Sequence, residues 1–114
     1  MYEYSAEVTK VVDGDTFDAN VDLGFNTFAK LRFRLQNFDA PELSSSKELE
    51  RKHASEAKLF VENLILNKQI LLKSSKGKIR EAVYNRWEAA VILPSGADLA
   101  TILKQNGFTK KPTY

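Results

Sequence analysis

Strict alternation of apolar and polar residues runs through the first forty positions. Tyr2, Tyr4, Ala6 and Val8 alternate with Glu3, Ser5, Glu7 and Thr9. Phe17, Ala19, Val21 and Leu23 alternate with Thr16, Asp18, Asn20 and Asp22. Leu31, Phe33 and Leu35 alternate with Lys30, Arg32, Arg34 and Gln36. A period of two is the geometry of a strand with one face buried. Asp13-Gly14 supplies a tight turn between the first two runs. Leu23 to Thr27, with Gly24 inside, turns the second into the third. The expectation is a three-stranded meander. Pro41, which has no amide to give a ladder, is expected to end the third strand.

The pattern then changes. Residues 44–52, Ser-Ser-Ser-Lys-Glu-Leu-Glu-Arg-Lys, show no clear apolar period and read as a polar loop. Ala57, Phe60, Val61, Leu64 and Ile65 recur at helical spacing and predict an amphipathic helix. Gln69 to Lys73 and Trp87 to Leu93 read as short strands. Asp98 can cap a second helix that buries Leu99, Ile102 and Leu103 and stops at Gly107. The order β-β-β-α-β-β-α predicts a mainly β protein with helices (α+β), a five-stranded OB-fold barrel. A length of 114 residues with no repeat or composition shift reads as one domain, residues 1–114.

Composition sets limits. There is no cysteine, so thiolate metal chemistry and disulfides are excluded. The single histidine, His53, has no nucleophile near it in sequence and reads as a solvated surface residue. No run approaches the roughly 20 apolar residues of a membrane span. The N-terminus lacks the pattern of a signal peptide, so the chain as written is expected to be cytoplasmic, secreted only if a leader was removed. Charge is uneven: residues 1–45 carry 4 Lys/Arg against 8 Asp/Glu, and residues 46–114 carry 13 against 7. An acidic half suited to a cation and a basic half suited to a polyanion fit nucleic acid, although a mixed solvated surface gives the same count.

Three charged clusters bear chemistry. Arg34 alternates away from the core, where its planar fork of donors can grip a phosphate. Asp39 and Glu42 flank Pro41, where the chain bends and side chains can converge. Asp15, from the first hairpin, can share a hard cation with Asp39. Arg86 stands in a distant run, Tyr84-Asn85-Arg86. Two guanidiniums, paired aspartates and a glutamate are the parts of a phosphodiesterase: charge neutralisation, a cation, and a base for water. The basic residues Lys73, Lys76, Lys78 and Arg80 can track a nucleic-acid backbone or simply form a charged loop. Phe17, Phe33, Phe60 and Trp87 read as core.

These clusters resemble, in order, the signatures of the staphylococcal (micrococcal) nuclease family. Val11-Val12-Asp13-Gly14-Asp15-Thr16-Phe17 resembles its opening hairpin. Arg32-Phe33-Arg34-Leu35 with Asp39-Ala40-Pro41-Glu42 resembles its strand-to-loop signature. Asn106-Gly107-Phe108 resembles the end of its second helix. The resemblance implies a Ca²⁺-dependent endonuclease with DNA and RNA as substrates and 3′-phosphate ends as products, and a monomer is expected. It implies Arg34, Glu42 and Arg86 as catalytic residues, with Asp15 and Asp39 as carboxylate ligands of Ca²⁺ and Ala40 as a carbonyl ligand. Tyr84 and Tyr114 would bind substrate, with Lys110 and Lys111 lining the same site. The sequence departs from the family at Ala40, commonly threonine, at Val83 and Asn85, commonly lysine and glycine, and in a longer first hairpin with Gly24-Phe25-Asn26-Thr27 at its tip. A rival reading is a non-catalytic OB module that binds single strands or a protein partner.

Overall fold

The computed structural model describes residues 2–74, 80–82 and 86–114, with the backbone alone at residues 2, 74, 80–82 and 86. Its elements are β1 (Tyr2–Asp13), β2 (Thr16–Gly24), β3 (Thr27–Leu35), α1 (Glu48–Ile65), β4 (Gln69–Ser74), β5 (Arg80–Ala82), β6 (Arg86–Ile92) and α2 (Leu99–Gln105). β1 pairs antiparallel with β2 and β4, β2 with β3, and β4 with β6. A parallel pairing of β3 with β6 closes the ring, so five strands form a barrel without a free edge. The expected OB-fold order is present.

The sixth strand is an addition to the expectation. Among the described residues, β5 pairs with the start of β6 alone, Arg80 opposite Glu88 and Ala82 opposite Arg86, beyond the stretch that β4 covers. Three residues are too few for alternation to register.

The core follows the alternation. Ala6, Val8, Phe17, Ala19, Val21, Phe33 and Leu35 are buried, and Phe17 and Phe33 stack at 5.7 Å between ring centroids. Trp87 and Phe60 are partly buried and pack on this core, as expected. β1 is irregular after Val8 and again after Val11. Such bulges bend a strand, and here the bend lets one long strand serve two neighbours.

Leu23 departs from the pattern and is exposed. The β2–β3 hairpin outruns the barrel at this end, leaving Leu23, Phe25 and Phe28 without a core to cover them. Its two-residue loop, Phe25-Asn26, has φ of 56° and 58°. Both residues are in the left-handed conformation that such tight hairpins require.

β3 ends at Leu35, six residues before Pro41. Asn37, with φ of 62°, turns the chain out of the sheet first, so proline is not the terminator. α1 begins at Glu48, and residues 48–52 are helix rather than loop. The buried stripe of α1 is Glu50, Ala54, Ala57, Val61 and Ile65. Its first member is a carboxylate, which hides the helical period from an apolar count. Acidic Glu48 and Glu50 in the first turn also suit the positive end of the helix dipole.

α2 starts as expected. Asp98 accepts a hydrogen bond from the Thr101 amide at 3.0 Å, and Leu99 and Leu103 are buried. Gly107 follows with φ of 78°. His53 is not a solvated residue. Its Nδ1 lies 2.7 Å from the Tyr114 hydroxyl and its Nε2 2.9 Å from the Gly107 carbonyl, with Phe108 stacked against the ring. The imidazole ties α1 to the segment after α2, a pairing across 61 positions that no local pattern announces.

Candidate nuclease site

Sheet register builds the site at one end of the barrel. Thr16 pairs with Arg34, and the Leu35 amide donates to the Asp15 carbonyl at 2.8 Å. The β1–β2 turn is thereby locked beside the end of β3. Gly14 makes a close approach possible there. A Cβ at this position would stand 3.0 Å from the Ala40 Cβ and 3.2 Å from the Ala57 Cβ. The turn therefore sits directly on the loop after β3 and on α1.

Arg34 lies at the centre of the cluster. Its Nη2 contacts the Asp39 carboxylate in a short hydrogen bond and lies 3.5 Å from Asp15 Oδ2. Its Nη1 donates to the Leu35 carbonyl at 3.4 Å. The same Asp15 Oδ2 accepts the Ala40 amide at 3.2 Å, so one carboxylate joins the hairpin turn to the loop. Arg32, on the same face, is held away in a two-pronged pair with Asp18 at 2.7 and 3.1 Å, as an ordinary sheet arginine.

Asp13, Asp15, Arg34, Asp39, Ala40, Pro41, Glu42 and Lys110 line one cleft of ≈ 400 Å³. Asp13 flanks the expected β1–β2 turn, opposite Thr16, and also lines the cleft. Burial, then a hydrogen bond and repulsion from Asp15, raise its pKa to about 6. Glu42 has a largely exposed side chain, with Lys110 Nζ 3.9 Å from its Oε1. The Lys110 amide donates to the Asp39 carbonyl at 2.8 Å, which brings the chain after α2 into the cleft wall.

Asp15, Arg34, Asp39, Ala40 and Glu42 are thus brought together. Tyr114 stands apart, in a second cleft of ≈ 440 Å³ with Leu49, Lys52, His53, Glu56, Lys111 and Thr113. Arg86 opens β6, one step before the Trp87–Phe33 pair, and its side chain lies outside the described residues. Tyr84, Val83, Asn85, Lys76 and Lys78 also lie outside them. Lys73, the member of that basic run with a described side chain, pairs with Glu3 at 3.7 Å.

Sequence reasoning missed Glu50. This buried carboxylate accepts the Glu42 amide and the Ser45 hydroxyl, each at 2.9 Å. The Glu42 amide, then Ser45 and Lys110, hold its pKa below the ordinary carboxylate range against the opposing effect of burial. Its spacing from Ala54 and Ala57 was the available sign. The donor set in the cleft is hard oxygen, with neither imidazole nor thiolate, and this fits a cation such as Ca²⁺ in kind. Among the described residues, no group of three or more His, Cys, Asp or Glu stands arranged to hold a metal ion.

A polar cleft with carboxylates and an arginine on a closed OB-type barrel suits a nuclease or a nucleic-acid-binding domain. The family model described as staphylococcal nuclease homologue matches residues 32–113, most of the chain, and the chain belongs to that family. No curated protein matches it. Among the described residues, no helix is long and apolar enough to cross a membrane.

Proposed function

We propose that the chain is a Ca²⁺-dependent endonuclease that hydrolyses phosphodiester bonds of DNA and RNA. The observation that carries this reading is the convergence of Asp15, Arg34, Asp39 and Glu42 on one cleft, with Arg34 against both aspartates. Asp15 and Asp39 would hold Ca²⁺ by carboxylate and Ala40 by its carbonyl, and the ion supplies charge neutralisation at a phosphate oxygen. Arg34 is paired with the two aspartates. A phosphate in the cleft offers the guanidinium a bidentate partner in their place. Glu42, exposed at the cleft wall, would orient water and take its proton. Water oxygen bonds to phosphorus and the bond to the 5′-oxygen breaks, leaving a 3′-phosphate and, after protonation from solvent, a 5′-hydroxyl. Arg86 is the second guanidinium of the proposal, by its position in the family pattern.

The test is cleavage of single-stranded DNA by the purified chain with Ca²⁺ in excess and with chelator. Cutting with Ca²⁺ and none with chelator is expected. Arg34→Ala and Glu42→Ala should each lose more than about tenfold in kcat/KM, since each removes a contact made in the transition state. Undiminished cutting by Glu42→Ala sinks its proposed role. Absence of cutting by the parent with any divalent ion favours a binding module.

A further inference from the structure

Glu50 is the one buried charged side chain among the described residues, 6% exposed. A buried carboxylate is costly unless its oxygens are satisfied. Here both are, and by one loop. Oε2 accepts the backbone amide of Glu42, and Oε1 accepts the hydroxyl of Ser45. Ser45 in turn donates its own amide to the Glu42 carbonyl at 3.2 Å and accepts the Lys47 amide at 3.1 Å through its hydroxyl. Arg51, one residue along α1, donates to the Ser45 carbonyl at 2.8 Å. Lys110 Nζ completes the arrangement, 3.6 Å from Glu50 and 3.9 Å from the Glu42 carboxylate.

The segment 42–47 is therefore shaped from beneath by the first turns of α1. We propose that Glu50 is a positioning residue for Glu42. Its carboxylate fixes the backbone from which Glu42 projects. Through Lys110 it also governs the direction of the Glu42 carboxylate, because one ammonium is shared between the two. The geometry separates these roles. Glutamine at 50 keeps one acceptor oxygen for the Glu42 amide, since the Ser45 hydroxyl can rotate to accept from the new amide. It loses the charge that attracts Lys110. Alanine loses both. The catalytic part of the inference rests on the proposed role of Glu42; the clamp itself does not.

The experiment measures kcat and KM on single-stranded DNA with Ca²⁺ for Glu50→Ala and Glu50→Gln, each alone and combined with Glu42→Ala. Amide exchange of residues 42–47 is followed in parallel. Glu50→Ala should lower kcat by about tenfold or more, since small misplacement of a reacting group has effects of that order, with KM changed less than about twofold. Glu50→Gln should fall between Glu50→Ala and the parent. Combined with Glu42→Ala, neither variant should slow cleavage by more than about twofold further, because a group acting through Glu42 has nothing left to act on. Exchange across 42–47 should quicken while the later turns of α1 stay protected. Unchanged kcat, or the full loss repeated in the Glu42→Ala background, overturns the positioning role. If Glu50→Ala does not fold, Glu50→Gln decides by the same criteria. If Glu42→Ala cuts as well as the parent, the role of Glu42 falls, and exchange alone decides the clamp: faster exchange at 42–47 upholds it and unchanged exchange overturns it.

Discussion

Burial and the Asp15 carboxylate together keep a proton on Asp13 until about pH 6, against an ordinary 3.8. Between those values the folded chain binds more protons than the unfolded one, so stability falls as pH rises through the window. Above it the penalty is complete. Asp13→Asn retains the acceptor that Asp15's amide uses at 3.0 Å and removes the charge. In chelator, urea denaturation should find this variant more stable than the parent at about pH 8, with the gain gone below about pH 4. Gly14 presents the opposite case, a residue with no room to grow. Gly14→Ala places a methyl against two alanine methyls, one on the loop of the cleft and one on α1. An unfolding midpoint lower by the equivalent of about 1–3 kcal/mol is expected. The convergence of Arg34 and Glu42 on one cleft could be expected from sequence, because one lies at the end of a strand and the other follows where the chain bends. The role of Glu50 could not, because its partners are a backbone amide, a serine hydroxyl and a lysine 60 positions away, groups that carry no local signature.

At the scale of elements, alternation made β1, β2 and β3 readable because each has one face in the core. The signal failed where that condition fails. Beyond Val21 the β2–β3 hairpin projects past the barrel, and Leu23 keeps the pattern without the burial. The start of α1 was obscured for a related reason: helical spacing persists, but a carboxylate occupies an inward position. The projecting hairpin also carries local strain. Phe25 is fully exposed and sits at φ of 56°, a conformation that disfavours a bulky side chain. Replacing Phe25-Asn26 by Asn-Gly suits the turn and sacrifices no buried surface. A gain of about 1 kcal/mol in thermal or urea unfolding is expected. At α2, Asp98→Ala removes the acceptor for Thr101 and should cost about 1 kcal/mol by the same measurement.

For the molecule as a whole, the barrel order could be read from the sequence of elements, while the contacts that hold the segment after α2 in place could not. His53 with Tyr114, and Lys110 with Asp39, Glu42 and Glu50, join positions far apart in sequence. Pairings of that range depend on the finished fold rather than on any window of residues. The parallel register of β3 with β6 has a consequence in time. As the chain is synthesised from its N-terminus, β1 to β4 can assemble only an open sheet, because the closing strand is still unmade. The cleft wall needs Lys110, which emerges later still. A partly made chain therefore holds its arginine and acids without the enclosure of the finished cleft, which is completed only once the segment after α2 is made.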